Sequence, residues 1–220
     1  MKPANDPGAN YKALVREGYD RCASDYARAR RGETEQTLAH LTSRLGREAR
    51  VLDIGCGGGI PVARDLARVA TVTGVDISDE MVGLARQNVP SGTFIHGDIM
   101  AQDFPAEHFD AVVSFYAIFH LPREEHKALF RHIQRWLKPG GYLLATLSRW
   151  NEPAYTEDDF HGVTMYWSNF GLDEYRVLLQ DIGFELLEVA NVGHGYDGDA
   201  AVPDEVHPIV FARKRAQHQR

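Results

Sequence analysis

Apolar residues recur at helical spacing near the start of the chain, at Tyr11, Leu14, Val15, Tyr19, Cys22 and Tyr26. Side chains three and four apart share one helix face, so a helix is predicted from Tyr11 until the charged run Arg28 to Gly32 ends it. A second is predicted from Thr34 to about Leu45, with Leu38, Leu41 and Leu45 on one face and Gly46 as its cap. The texture then changes. Short apolar or β-branched runs predict strands at Arg50 to Ile54, Thr71 to Asp76, Thr93 to His96, Phe109 to Phe115, Tyr142 to Ser148, Phe184 to Ala190 and Ile209 to Lys214. Helical patterns fall between them, at Val62 to Val69, Asp79 to Gln87, Glu124 to Leu137 and Leu172 to Ile182. Lys138 to Gly141 reads as a turn.

Strands alternating with helices predict an α/β fold, a Rossmann-like doubly wound sheet of seven strands covered on both faces. No helical pattern separates Ala190 from Ile209, so the last two strands are expected to pair antiparallel and the rest parallel. Residues 1–10, with two prolines and a glycine, read as a flexible arm. Residues 11–215 form a single expected domain and 216–220 a tail. Two stretches show no regular pattern. Residues 191–207 hold three glycines and four acids, and residues 149–170 are rich in aromatics. The second is either the cap of a substrate pocket or a loop packing its aromatics on the sheet.

Composition narrows the class. The 220 residues are 44% hydrophobic and 25% charged, values of an ordinary globular domain. Lys plus Arg number 24 and Asp plus Glu 31, a net charge of −7 that disfavours nucleic acid as a partner. The one dense basic group, Arg213, Lys214, Arg215 and Arg220, reads as a solvated end. Cys22 and Cys56 make no disulfide framework. No run is long enough to span a membrane and no secretory leader is seen, so a cytoplasmic, membrane-free setting is expected. Ten histidines are scattered without HExxH or CxxC spacing, and no metal site is expected.

The chemistry begins where the first strand stops. Gly55, Gly57 and Gly59 follow Ile54, and such a turn exposes backbone amides to a ligand at the carboxyl end of the sheet. Asp76 ends the second strand, 21 residues after Gly55, where a carboxylate can accept from two ribose hydroxyls. Asp98 follows the third strand, where an acid can meet an adenine amino group. Asp76 or Asp98 alone also fits an ordinary turn; the two in register with the glycine turn and with Asp53 point to a nucleoside. Asp53, two residues before Gly55, would repel a pyrophosphate, and Ile60 stands where a dinucleotide fingerprint has glycine. An ammonium group would instead be attracted to Asp53, or Asp53 could bond loop amides.

Val51-Leu52-Asp53-Ile54-Gly55-Cys56-Gly57-Gly58-Gly59, with Val75-Asp76-Ile77-Ser78, Gly97-Asp98-Ile99, Phe109-Asp110-Ala111-Val112-Val113 and Leu137-Lys138-Pro139-Gly140-Gly141, resembles the class I S-adenosylmethionine-dependent methyltransferases. The resemblance covers about residues 11–190 and keeps motif order. It implies S-adenosyl-L-methionine as cofactor, with Asp53, Gly55 and Gly57 around its methionine part and Asp76 on its ribose. Ile77 and Met81 would flank the adenine, and Asp98 and Ile99 its edge. Ser114 and Phe115 would face the cofactor, and Tyr19 and Tyr26 of the first helix would close over it.

Methyl transfer is an in-line displacement governed mainly by positioning. A hydroxyl or protonated amine acceptor also requires a base. His120 leads as candidate, in the segment leaving the fourth strand, with Tyr116 and His161 behind it; His120 could equally order its loop. Trp150, His161 and Tyr166 are the candidate acceptor contacts. The Asn/Asp-Pro-Pro-Tyr/Phe motif of DNA adenine and protein glutamine methyltransferases is absent, and the outline resembles the small-metabolite enzymes, a group that includes trans-aconitate and natural-product methyltransferases. The expectation is a monomer or homodimer that methylates a small molecule at oxygen or nitrogen. The alternatives are a non-catalytic S-adenosylmethionine-binding protein and a nicotinamide-dependent oxidoreductase.

Overall fold

The computed structural model describes residues 1–4, 10–30, 34–192 and 207–216. Its strands are β1 (Lys2–Pro3), β2 (Arg50–Ile54), β3 (Thr71–Asp76), β4 (Thr93–His96), β5 (Phe109–Ser114), β6 (Leu137–Thr146), β7 (Glu152–Phe160), β8 (Val163–Asn169), β9 (Phe184–Val192) and β10 (His207–Lys214). Its helices are α1 (Tyr11–Ala29), α2 (Thr34–Thr42), α3 (Val62–Leu66), α4 (Asp79–Asn88), α5 (Arg123–Trp136) and α6 (Leu172–Ile182).

Seven strands form the main sheet in the order β4-β3-β2-β5-β6-β10-β9. Pairs among β2 to β6 are parallel, while β10 runs antiparallel to both β6 and β9. The central strands are continuous apolar runs because helices cover both faces. Val51, Leu52 and Ile54 of β2 and Ala111, Val112 and Val113 of β5 are all buried. One core layer gathers Trp136, Phe130 and Tyr175 under α5 and α6; the other gathers Leu38, Leu41 and Leu66 under α2 and α3. The chain reverses direction across the sheet between β3 and β5, on either side of β2. Ligands bind open α/β sheets at such a crevice, beyond the carboxyl ends of the strands.

Several boundaries differ from the sequence pattern. The second helix stops at Thr42 and the third at Leu66, well short of Leu45 and Val69. Lys138 to Gly141 belong to β6, with Gly140 at φ 77° and the β5–β6 register shifting between Phe109 and Ala111. The basic end of β10 is not a solvated tail. Lys214 is buried and its Nζ donates to the Leu137 carbonyl, and Arg213 pairs with Glu185. Of the expected terminal tail, residues 217–220 lie outside the described residues, as do 193–206 of the glycine- and acid-rich stretch.

The aromatic segment is a second sheet rather than an irregular loop. β7 and β8 form an antiparallel hairpin, closed by His161 and Gly162, both at positive φ (49° and 77°). Positive φ at both central residues is what the favoured two-residue hairpin turn requires. Its third strand comes from the expected flexible arm: Lys2 pairs with Thr156 and Pro3 with Tyr155. Ala4 N–H then donates to the Ala154 carbonyl. Residues 5–9 of that arm lie outside the described residues. α1 packs between this small sheet and the main one, against Val163, Met165 and Tyr166. Gly18 allows the approach, since a Cβ there would stand 3.0 Å from Met165 Cε.

Candidate functional site

The glycine turn after β2 is shaped by contacts that leave little room for side chains. Gly55 and Cys56 N–H both donate to the Val75 carbonyl, at 2.8 and 3.2 Å. Gly55 has φ 68°, and a Cβ on it would lie 2.1 Å from Ala117 Cβ. Only glycine combines that backbone with that clearance. Asp76, at the end of the neighbouring strand, accepts from Gly57 N–H at 2.8 Å and Ser78 N–H at 3.0 Å. Ser78 in turn caps α4 through Met81 N–H and donates to Asp20 Oδ1 of α1 at 2.7 Å.

A narrow cleft opens at this point. Gly55, Gly57, Asp76, Ile77, Met81, Asp98 and Ile99 line it from the sheet side, and Tyr19 and Tyr26 from α1. Phe115, Tyr116 and His120 close its far end. The sequence-derived nucleoside residues therefore meet in one place, with two exceptions. Ser114 is wholly buried and donates to the Ile54 carbonyl instead of facing the cleft. Asp53 lies in an adjoining recess with Arg30, Gly57 and Phe115.

Asp53 is the most perturbed acid of the site. It is 1% exposed, and among the described residues its Oδ2 has no hydrogen-bond partner. Burial first, and then the neighbouring Asp76 carboxylate, push its carboxyl up to about 8. Asp76 is raised by burial too, opposed by its two backbone hydrogen bonds. Two adjacent buried acids are costly as anions, and a cationic ligand relieves that cost by holding both ionised. The alternative of Asp53 bonding loop amides is not what the structure shows.

His120 has a fixed tautomer. Its Nδ1 lies 2.7 Å from the Tyr166 carbonyl, which can only accept, so Nδ1 carries the proton. Nε2 then holds a lone pair, and the Tyr19 hydroxyl donates to it at 2.8 Å. Burial lowers the imidazole to about 4, so it is neutral at physiological pH. Tyr116 sits at φ 57°, a strained value for a residue with a Cβ, under the Arg30 guanidinium at 4.3 Å.

A second, larger and open pocket lies beneath the hairpin. Trp150 and His161, two of the candidate acceptor contacts, line it. Tyr166 does not. Its ring is buried and stacked on Tyr11 at 4.3 Å, and only its carbonyl matters, through His120. Tyr19, Tyr26, Tyr116 and His120 line both the inner cleft and the outer pocket, so the two compartments meet at these four side chains.

With this geometry in hand, residues 51–141 match the family model described as a methyltransferase domain. Over this stretch the chain is similar to the methyltransferase-domain family. It is 35% identical over 166 residues to a fatty-acid O-methyltransferase of Mycolicibacterium smegmatis, covering 74% of this chain and 56% of that protein. It is likewise 35% identical over 120 residues to a phosphoethanolamine N-methyltransferase of Plasmodium falciparum, covering 53% and 45%. The chain thus spans about half the length of the curated relatives it matches. Among solved structures, its fold is shared with a Burkholderia thailandensis didemethyltoxoflavin N1-methyltransferase (TM-score 0.71, 22% identity, covering 97% of this chain and 94% of that one). It is shared as well with the [4+2]-cyclase SpnF (TM-score 0.67, 21% identity, covering 98% and 99%).

The methyltransferase-domain match contains the glycine turn, all three strand-tip acids and His120, but not α1 or the hairpin. Two site residues outside it were missed from sequence. Lys12 Nζ reaches Asp98 Oδ2 at 2.7 Å and also bridges Glu125, so Asp98 is engaged by a cation instead of standing open. Arg30, the C-terminal residue capping α1, is 8% exposed and lines the Asp53 recess. No local signal marks either, since each meets its partners across a long stretch of sequence. Among the described residues no cluster of metal-ligating side chains occurs, and no helix is long and apolar enough to cross a membrane.

Proposed function

We propose that this chain transfers a methyl group from S-adenosyl-L-methionine to a small-molecule acceptor, at oxygen or nitrogen. The observation carrying this reading is Asp53, a buried carboxylate with an orphaned oxygen in a recess beside bare glycine backbone. That recess suits an amino-acid tail: Asp53 answers an ammonium and Arg30 a carboxylate, while Asp76 and Gly57 in the adjoining cleft suit a ribose. A nicotinamide dinucleotide would bring its pyrophosphate against Asp53 instead. S-adenosylmethionine supplies an electrophilic methyl group on a sulfonium.

The residues of the chain supply positioning and a proton path. α1 is tied over the cleft at three points, Lys12 to Asp98, Asp20 to Ser78 and Tyr19 to His120. The hairpin roofs the outer pocket as the substrate cap, with Trp150 and His161 as acceptor contacts. For a hydroxyl acceptor, the Tyr19 hydroxyl takes up the departing proton while passing its own to His120 Nε2. The Tyr166 carbonyl holds the imidazole in the required tautomer. Tyr116 shapes the junction beneath the Arg30 guanidinium.

Calorimetry with S-adenosylhomocysteine, followed by an acceptor panel read by mass spectrometry for a gain of one methyl, tests the reading. Absence of heat sinks it. Heat without turnover across the panel favours a binding protein or another reaction, an outcome given weight by the cyclase that shares the fold.

A further inference from the structure

The outer pocket sets three carboxylates beside two arginines. Glu152, Glu157 and Asp159 of β7 all line it, and among the described residues none of the three has an ion-pair partner. Arg149 and Arg30 line the same pocket; the Arg149 guanidinium is held by Asn191 Oδ1 at 2.8 Å and that of Arg30 lies 4.3 Å over the Tyr116 ring, so neither pairs with these three acids. Behind Glu152 stand two groups that donate to it, one of which also presents a spare acceptor. Glu152 Oε2 receives Ser148 Oγ at 3.3 Å and Asn169 Nδ2 at 3.2 Å. Asn169 is 2% exposed, and its Oδ1 is left with no partner among the described residues. A buried amide oxygen without a donor is costly, and a donor brought by a ligand would recover that cost.

The rings beside this wall give the ligand its shape. Trp167 stacks on Tyr155 at 5.6 Å and lies 5.5 Å from the His120 ring. Aromatic faces and carboxylates attract the same kind of group, a cation. The Tyr155 phenol is raised by burial and then by Glu152 and Glu157, so it stays a neutral donor. We propose that the acceptor is a ring-bearing molecule with a protonated amine, the ring lying on Trp167 and the amine held by Glu152 beside Asn169, beyond the Tyr19–His120 pair. Calling this molecule the acceptor rests on the methyltransferase reading; the pocket's preference for a cation does not.

The test uses three probes of one frame, tyramine, tyrosol and phloretic acid, titrated into the full chain and read by ligand-observed NMR. Tyramine is expected to bind at least about tenfold tighter than phloretic acid, the equivalent of one charged contact. Glu152→Gln should cut that preference at least about fivefold. If that variant does not fold, Glu157→Gln combined with Asp159→Asn carries the test at more open positions. No tyramine binding at millimolar concentration, equal binding of amine and acid, or a preference that survives the substitutions overturns the proposal. A parallel titration with S-adenosylhomocysteine separates the two claims. Binding of the nucleoside without amine preference sinks this inference alone, and the reverse sinks the methyltransferase reading alone.

Discussion

If Asp53 is the ammonium partner, cofactor binding must release a proton. In the free protein burial and Asp76 hold this carboxyl at about 8, so it is mostly protonated at neutral pH. A bound ammonium requires the anion. The apparent dissociation constant then scales with one plus the ratio of protonated to ionised Asp53, which is about 100 at pH 6, about 10 at pH 7 and about 1 at pH 8. Affinity for S-adenosylhomocysteine should therefore tighten roughly 50-fold from pH 6 to pH 8, with about 0.9 proton released at pH 7. Calorimetry in two buffers of different ionisation enthalpy measures that release directly. Asp53→Asn should bind more weakly and lose most of the pH dependence, because the amide can neither ionise nor neutralise the ammonium. Tightening of less than about threefold in the native protein, or an equal slope in the variant, would refute the assignment.

Gly55→Ala should destabilise the fold by about 2–5 kcal/mol, adding a left-handed backbone to an overpacked contact, and abolish nucleoside binding. Thermal melts with and without S-adenosylhomocysteine check both effects. Tyr19→Phe should slow single turnover of a hydroxyl acceptor by about 10²-fold or more while leaving nucleoside affinity within about threefold. An unchanged rate removes the relay. His126 is buried between the Tyr175 hydroxyl and the Leu121 carbonyl, and burial lowers it to about 4 from 6.5. A histidine depressed in the fold gives stability that is complete above 6.5 and is lost as pH falls toward 4, because the unfolded chain binds the extra proton. His126→Gln should flatten the stability curve in that window by about one proton, read from denaturant midpoints.

What was legible in the sequence was whatever folds from contiguous residues. The runs at β2 and β5 stand out because strands buried on both faces are apolar at every position. The glycine turn, Asp76 and Asp98 follow their strands directly, so strand tips could be read as a nucleoside site before any contact was known. Helix ends were less legible, as at Thr42 and Leu66, where packing and not periodicity stops the turn. The hairpin was invisible for a specific reason. Its register shifts between Glu152 and Tyr155 and again between Glu157 and Phe160, and each irregularity breaks the alternation that identifies a strand. β1 had no local signal at all, because Lys2 and Pro3 become a strand only by meeting Thr156 and Tyr155.

The division between legible and illegible follows the division of labour in the site. The residues assigned to the cofactor lie mostly on strand tips and the turns after them, and the matched domain contains most of them. The outer pocket is assembled differently, from α1, the hairpin and the loop after β5, with Tyr19 and His120 meeting across 101 residues of sequence. Contacts of that kind can be exchanged without disturbing the nucleoside site, since the hairpin face holds neither the sheet nor the glycine turn in place. Acceptor choice is therefore expected to move with the hairpin. Replacing Glu152, Glu157 and Asp159 together by their amides should alter which probe binds while S-adenosylhomocysteine affinity stays within about threefold, and a matching loss of both affinities would show that the compartments are energetically one.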